Sequence, residues 1–133
     1  MGDGKRVLDF GLNAYQAEAV RTEQQAGWRD LLLKNTLGLA GEVGEFVELV
    51  KHDAFHGRPM DLDAAKKELG DILWYLATTA HALGFALDDV AITNVDKLRK
   101  RYPDGYTHGA SAARADETHV AVPVEGWPVG DEG

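Results

Sequence analysis

The sequence lacks cysteine altogether, and it is poor in basic residues. Without cysteine, the 133-residue chain has no disulfide, no thiolate zinc site and no cysteine nucleophile. Its 14 lysines and arginines stand against 22 acidic residues, which gives a formal net charge of −8. This charge argues against binding to nucleic acid or to an anionic membrane, because both need a basic surface.

Long apolar runs are also missing. The longest uncharged stretch, residues 72–87, is interrupted by Thr78, Thr79 and His81, and it is too short and too polar for a membrane span. The basic pair Lys5-Arg6 is not followed by the apolar segment that a secretory signal requires. We therefore expect a cytoplasmic protein, long enough for one domain with a hydrophobic core.

Composition divides the chain into a body and a tail. Only two prolines precede residue 123, whereas the sequence from residue 107 onward is rich in small and acidic residues. This predicts an all-α domain over residues 1–106 and a flexible acidic tail over residues 107–133. The alternating valines of segment 120–124 keep open a second interpretation, in which the tail is an extended arm on a partner subunit.

Apolar spacing predicts four helices in the body. We expect them at residues 12–25, 30–55, 61 or 63 to 83, and 88 or 89 to about 101. Asn13 is predicted to cap the first helix, and the aspartates at those starting positions to cap the third and fourth. Gly57 and Gly84 should end the second and third. Short connections favour antiparallel neighbours, so the predicted class is all-α, a four-helix bundle-like fold without strands.

A six-residue acidic pattern occurs twice, 26 residues apart. The segment Glu42-Val43-Gly44-Glu45-Phe46-Val47 aligns without a gap with Glu68-Leu69-Gly70-Asp71-Ile72-Leu73. On a helical wheel, each carboxylate pair lies beside an apolar arc of its helix. The arcs consist of Leu39, Val43, Val47 and Val50 in the second helix, and of Leu69, Ile72, Leu73 and Leu76 in the third. Antiparallel packing through these arcs would bring the four carboxylates together at one edge.

Four neighbouring carboxylates need a compensating cation to stay ionised. Oxygen ligands at this spacing suit Mg²⁺, or Mn²⁺ as a second choice, whereas a ferritin-type di-iron site would require Glu-x-x-His. The alternative is that the groups are solvated surface charges, but their repetition on matched helix faces favours the metal. Gly44 and Gly70 also favour the metal site. Glycine costs a helix interior about 1 kcal/mol relative to alanine, so its presence there indicates that a backbone or a ligand approaches closely.

Three segments carry a resemblance to a known family. They are Gly41 to Glu45, Glu68 to Leu73, and the stretch Asn-Val-Asp-Lys-Leu-Arg-Lys-Arg-Tyr-Pro from Asn94 to Pro103. Together they resemble the MazG-like all-α nucleoside triphosphate pyrophosphohydrolases. The resemblance implies cleavage of a nucleoside triphosphate to monophosphate and pyrophosphate, in an assembly of two or four chains. It implies that the Mg²⁺ ligands and catalytic residues are Glu42, Glu45, Glu68 and Asp71.

The fourth predicted helix supplies candidates for phosphate binding. Asn94, Lys97 and Arg101 are spaced i, i+3 and i+7 on one face, and they resemble the family's Asn-x-x-Lys-Leu-x-x-Arg stretch. The resemblance implies that they contact substrate phosphates. The alternative is a solvent-facing stripe of salt bridges with Asp89 and Asp96.

Three further side chains are candidates for substrate binding. Lys51 ends the second helix, where a cation favours the helix dipole, and from there it can reach a phosphate. Asn35 lies within about 20° of Glu42 on the wheel and Tyr75 lies near Glu68, so both are predicted to face the pocket and contact base or sugar. Core packing is the alternative for Tyr75.

These observations predict a Mg²⁺-dependent hydrolase that acts on an NTP or dNTP in nucleotide-pool house-cleaning. The water-activating carboxylate is Glu45 or Glu42. Within the same fold, a phosphoribosyl-ATP pyrophosphohydrolase is an alternative; from another class, a non-catalytic metal-binding helical interaction module. The wide apolar arcs predict a homodimer or a homotetramer.

Overall fold

The computed structural model describes residues 11–117, and these form five α-helices. They are α1 Leu12–Arg21, α2 Trp28–His56, α3 Leu62–Ala82, α4 Leu87–Arg101 and α5 His108–Ala113. Within this part of the chain the only β pairing is an isolated bridge between Pro103 and Gly105, so no strand forms. The predicted all-α class is confirmed.

The chain divides into two compact units, one ending at Ile92 and the other beginning at Thr93. The first holds α1, α2, α3 and the start of α4, and the second holds the rest of α4 and α5. No helix of residues 11–117 combines the length and the hydropathy needed to cross a bilayer. The domain boundary expected after residue 106 stays a prediction.

The ends of α2 and α3 follow local capping rules. Gly57 ends α2 in the left-handed conformation, with φ of 63°, which costs glycine little. The Asp61 carboxylate then accepts hydrogen bonds from the backbone N–H groups of Asp63 and Ala64, at 3.0 and 3.1 Å, and so caps α3. Gly84, with φ of 79°, follows the end of α3. The predicted stops, and Asp61 as a cap, are confirmed.

The caps predicted for α1 and α4 are wrong. Gly11 precedes α1, which has no side-chain cap and ends at Arg21 rather than at residue 25. The Asn13 side chain instead accepts a hydrogen bond from the Asp88 N–H at 2.9 Å. Because α4 starts at Leu87, the aspartates at 88 and 89 lie inside its first turn. Local sequence cannot reveal an acceptor that lies 75 residues away.

Gln16 of α1 connects α3 to the turn before α4. Its side-chain N–H group donates to the carbonyls of Ala77 at 3.1 Å and Phe85 at 2.9 Å, and its carbonyl accepts from the Leu87 N–H at 3.0 Å. Around this buried amide lies a small core of Ala19, Ala77, Ala80 and Leu87, with Tyr15, Trp74 and Val90 packed against it. The hydrogen bonds of this amide therefore hold α1 against α3 and the turn that leads into α4.

Six of the eight side chains in the apolar arcs of α2 and α3 remain exposed although these two helices pack together. Exposed fractions are 40–53% for the three valines of α2 and 36–51% for three leucines of α3. These residues are Val43, Val47, Val50, Leu69, Leu73 and Leu76. The expectation that the two helices pack through these arcs is wrong for these side chains. They form an exposed apolar face of the first unit.

The described part of the tail is more ordered in its backbone than its composition suggested. Residues 108–113 form α5, which Thr107 caps by accepting a hydrogen bond from the Ala110 N–H at 3.0 Å. Composition alone did not anticipate this helix, because the cap and the alanines are dispersed among glycine and serine. Val120, Val122, Val124 and Trp127, the residues of the alternative arm, lie outside the described residues.

Candidate functional site

The pairing of α2 with α3 brings the two acidic patterns together. Gly38 of α2 lies beneath the Tyr75 ring of α3, and further along α2 the Glu42 carboxylate meets those of Glu68 and Asp71. Position along α2 rises while position along α3 falls, so the two helices are antiparallel, as predicted. This register places the carboxylates of the two acidic patterns opposite one another.

Three of the four predicted acidic residues form a cluster. Glu42, Glu68 and Asp71 each offer a carboxylate oxygen, and these oxygens all lie within 4.8 Å of one another. Glu42 and Glu68 are half-buried and Asp71 is exposed. Within residues 11–117, no lysine, arginine or histidine forms an ion pair with any of the three. We call these three residues the acidic cluster.

The acidic cluster has the electrostatics of a cation site. Burial raises the pKa of Glu42, and the charges of Glu45, Asp71 and Glu68 raise it further. In addition, the Oε2 atom of Glu68 is buried and has no hydrogen-bond partner. Buried acceptors without a donor are rare, and hard divalent cations are the ions that carboxylate oxygens prefer. The residues present therefore fit Mg²⁺ or Mn²⁺.

Glu45, the fourth predicted ligand, does not belong to the acidic cluster. It lies one helical turn beyond Glu42 and near enough for its charge to raise the pKa of Glu42. Its side chain is exposed. Glu45 thus lies beside the acidic cluster, but its carboxylate is not one of the three whose oxygens lie within 4.8 Å of one another.

Tyr15 is a residue of this region that the sequence did not reveal. Its pKa is raised, first by burial and then by the negative charge of Asp71. The phenol therefore stays protonated at neutral pH and adds no further negative charge near the cluster. No spacing rule links α1 to α3, so only the tertiary structure shows this neighbour.

The predicted base or sugar contacts have different environments. Asn35 is fully buried rather than facing an open pocket, which corrects the expectation from the helical wheel. Its amide N–H donates to Oε1 of Glu23 at 2.8 Å, and the Lys34 ammonium lies 3.5 Å from the same oxygen. Tyr75 is half-buried and packs edge-on against Trp74, with ring centroids 5.0 Å apart.

The close helix packing that a glycine permits occurs at Gly38, not at the expected Gly44 or Gly70. A Cβ atom on Gly38 would lie 2.2 Å from Cε1 of Tyr75, so the ring occupies the space of the missing side chain. By contrast, apart from the neighbouring residues and backbone of its own helix, no described atom lies within 4 Å of a Cβ built on Gly44 or Gly70. Within this chain, close packing of α3 on α2 depends on Gly38.

Lys51 is paired within its own helix. Its ammonium lies 2.8 Å from Oε1 of Glu48, and this hydrogen bond and charge lower the pKa of Glu48. Both side chains are about half exposed. A phosphate contact by Lys51 stays a prediction.

The second unit contains a cavity of about 480 Å³ with a charged lining. Three basic side chains and three acidic ones contribute to it, namely Lys97, Lys100, Arg101, Asp96, Asp116 and Glu117. Of the three residues predicted to contact phosphate, Lys97 and Arg101 line this cavity and Asn94 does not, and their role in phosphate binding stays a prediction. We call this the charged cavity.

Arg101 does not form the predicted alternative stripe of salt bridges along α4. Its Nε and Nη2 atoms donate to the two carboxylate oxygens of Asp116, at 2.5 and 2.8 Å. Asp96 instead lies 4.0 Å from Arg99, its neighbour one turn along. The guanidinium is therefore held by an acid from beyond α5, which no analysis of one helix face could predict.

Comparison with known proteins identifies relatives of this chain. The MazG nucleotide pyrophosphohydrolase domain family matches residues 32–106. Gene 37 protein of Mycobacterium phage L5 is 35% identical over 86 residues, which cover 59% of this chain and 73% of the phage protein. The dCTP pyrophosphatase 1 of Bos taurus is 35% identical over 92 residues, and that of Homo sapiens is 33% identical over 92 residues.

Each of these two matches covers 65% of this chain but only 54% of the relative. The chain thus spans about half the length of the dCTP pyrophosphatases that it matches. No solved structure gives a significant match.

Proposed function

Because the chain belongs to the MazG nucleotide pyrophosphohydrolase domain family, we propose that it hydrolyses a nucleoside triphosphate to the monophosphate and pyrophosphate with Mg²⁺. The acidic cluster is the observation that carries this proposal. Its three carboxylates gather within 4.8 Å, and residues 11–117 provide no paired cation for them. Nucleotide-pool house-cleaning is the corresponding cellular role.

Glu42, Glu68 and Asp71 hold the divalent ion in this proposal. A buried oxygen of Glu68 without a hydrogen-bond donor supports the assignment, as does the raised pKa of Glu42. The bound Mg²⁺ would supply positive charge to neutralise the phosphates, which an acidic protein needs in order to accept a triphosphate. Mn²⁺ has the same preference for oxygen ligands.

Glu45 is the residue that we assign to the attacking water. Its carboxylate stands outside the acidic cluster but beside Glu42, so it remains free to accept a proton. The water attacks a phosphorus atom next to the α–β bridging oxygen. The bond between that phosphorus and the bridging oxygen then breaks, and pyrophosphate is released. The protonated phenol of Tyr15 near Asp71 completes the site without adding negative charge.

Phosphate contacts are assigned to Asn94, Lys97 and Arg101, with Lys51 as a further cation. Two of them line the charged cavity, where basic side chains suit an anionic ligand. Tyr75 is assigned to the base or sugar, because it lies on α3 one turn beyond Asp71. The relatives named dCTP pyrophosphatase make dCTP the first substrate to test.

The exposed apolar face supports assembly with a second copy of this chain. Valines and leucines that remain 36–53% exposed over two adjacent helices form a larger apolar surface than isolated surface residues do. A two-fold dimer would bury this face against itself, and a tetramer would repeat the arrangement. The proposed enzyme is therefore a homodimer or homotetramer.

Pyrophosphate release from a panel of NTPs and dNTPs tests the proposal. Wild type should release pyrophosphate with Mg²⁺ and not with a chelator, and Glu42→Gln and Asp71→Asn should be inactive. Glu48→Gln is the matched control, since Glu48 lies on α2 but binds Lys51. If wild type and all variants are equally inactive, the proposal fails and a non-catalytic metal-binding module is favoured. Activity confined to phosphoribosyl-ATP would support the alternative within the same fold.

A further inference from the structure

The contact between Arg101 and Asp116 is the most enclosed ion pair that the structure describes. The side chain of Asp116 is 3% exposed and that of Arg101 is 18% exposed, whereas the side chains of the ion pairs within α1, α2 and α4 are about half exposed or more. Both carboxylate oxygens accept from the guanidinium, which is the two-pronged geometry that arginine also uses for phosphate. An acid of this chain thus occupies a phosphate-type position on Arg101.

The local backbone directs Asp116 toward α4. Arg114, which follows α5, adopts a left-handed conformation with φ of 45°, the only positive φ at a non-glycine residue among those described. The Glu117 N–H then donates to the Arg114 carbonyl at 2.9 Å, and the two side chains form an ion pair. A left-handed arginine is less favourable than a left-handed glycine, so this turn is held by the contacts that it makes.

The positive charges that line the charged cavity are balanced only because Asp116 and Glu117 also line it. Lys97, Lys100 and Arg101 face Asp96, Asp116 and Glu117. Without the last two acids, three cations would face one anion. Arg101 and Lys97 also keep Asp116 ionised, because they lower its pKa. The cavity of about 480 Å³ is therefore cationic in its α4 wall and is neutralised by residues 116–117.

We propose that segment 114–117 is an internal competitor for phosphate, in which Asp116 occupies the Arg101 guanidinium until a polyphosphate displaces it. The inference rests on the proposed function only through the assignment of Arg101 to phosphate binding. Substrate affinity is then set partly by the cost of releasing Asp116, and pyrophosphate is the simplest ligand able to compete. Exchange of one anion for another at Arg101 requires no covalent step.

Calorimetric titration with inorganic pyrophosphate in the presence of a chelator tests this proposal. Without divalent ions the acidic cluster repels pyrophosphate, so binding reports on the basic side chains. Asp116→Asn should bind pyrophosphate about tenfold more tightly than wild type, within the usual range of coupling between two sites. Asp96→Asn is the matched control, because it removes an equal charge from the same cavity without freeing Arg101, and it should change affinity less.

Arg101→Gln in the Asp116→Asn background should abolish the gain in affinity. A purely structural role for Asp116 predicts the opposite pattern, in which Asp116→Asn melts at a lower temperature but binds pyrophosphate no better. That result, or no detectable binding by wild type and variant alike, would overturn the inference.

Hydrogen exchange on wild type provides a second measurement that needs no variant. Pyrophosphate binding should increase deuterium uptake in a peptide covering residues 107–117, because the segment is released from α4. Unchanged or lower uptake would contradict the displacement. These readouts need no turnover, so an inactive protein with tightened pyrophosphate binding would sink the proposed function alone. An active enzyme without the Asp116 effect would sink this inference alone.

Discussion

The acidic cluster and the charged cavity handle charge in opposite ways. In the cluster, Glu42, Glu68 and Asp71 meet without a paired cation from residues 11–117, and repulsion and burial raise the pKa of Glu42. In the cavity, the Arg101 guanidinium is matched by a carboxylate of the chain itself. In our proposals the first site takes up a cation from outside, whereas the second releases an anion before it accepts another. The same chain thus contains an unbalanced acidic site, which we propose for a metal, and a balanced one, which we propose for phosphate.

The largest expected effect separates the roles of two glutamates at the unbalanced site. Glu68→Gln should lower kcat/KM by at least about 100-fold and also abolish the rise in melting temperature that we expect Mg²⁺ to produce in wild type, because it removes a proposed ligand. Glu45→Gln should lower kcat by a similar factor but retain the Mg²⁺-induced rise, because its carboxylate acts on water. Steady-state kinetics and thermal melting with and without Mg²⁺ measure both effects. Loss of metal binding in Glu45→Gln would make it a fourth ligand instead.

The next largest effect concerns the contact between Gly38 of α2 and Tyr75 of α3, the two helices that carry the acidic cluster. Gly38→Ala places a methyl group where the Tyr75 ring lies, and such overpacking costs about 1–3 kcal/mol. Over most of this range the cost is larger than the gain of about 1 kcal/mol that alanine brings to a helix interior. We expect denaturant unfolding to show a net loss of stability, together with lower activity.

Gly44→Ala is the matched control on the same helix. Because the added methyl group would meet no described atom beyond its own helix within 4 Å, Gly44→Ala should stabilise the single chain by about 1 kcal/mol through helix propensity. If Gly44→Ala keeps its stability but loses activity or assembly, a ligand or partner subunit approaches α2 at that position, as the sequence suggested.

Charge repulsion in the metal-free protein predicts opposite effects of two neutralising substitutions on α2. The folded-state pKa of Glu42 is raised, so its ionised form opposes folding above that pKa, and the cost disappears at pH below its unfolded value. Glu42→Gln should therefore raise the melting temperature by a few degrees in a chelator at pH 7. Glu48→Gln should lower it slightly or leave it unchanged, because Lys51 lowers the pKa of Glu48. Melting temperatures that shift in the same direction would contradict this electrostatic account.

The smallest effect is a pH dependence at the balanced site. Arg101 lowers the folded-state pKa of Asp116, so the contact stabilises the protein above the unfolded value of about 4. That stability is lost as pH falls through the lowered folded pKa. The difference in unfolding free energy between wild type and Asp116→Asn should be present at pH 7 and vanish at strongly acidic pH. A difference independent of pH would show that packing, rather than charge, holds Asp116.

Features with a local period were predictable from the sequence. The repeated Glu-x-x-Glu and Glu-x-x-Asp patterns lie on helices, and Asp61 caps α3 through amides two and three residues away. In each case the groups concerned lie within two helical turns of one another, and the helical period describes positions at this spacing. The antiparallel pairing followed from the short connection between the two helices.

Contacts between distant segments were not predictable. Tyr15 near Asp71, Asn13 at the start of α4 and Asp116 on Arg101 each join positions that no helical period relates. The helical wheel also assigned the apolar arcs to the α2–α3 contact, although they remain exposed. A wheel shows which side chains share a face but not whether that face meets another helix of the same chain or a partner.

Gln16 has a practical consequence for where this domain can be truncated. A fragment that begins at residue 32 would contain all four acidic residues of the repeated pattern, yet it would lack the amide that binds the Phe85 carbonyl and the Leu87 N–H. Removing α1 would lose these hydrogen bonds, each worth about 0.5–1.5 kcal/mol, and would expose Ala77, Ala80 and Leu87, which share a small core with α1; together these losses are a large share of the stability of a small domain. Transplanting or truncating this hydrolase unit therefore has to retain the ten residues of α1, although they supply none of the proposed metal ligands.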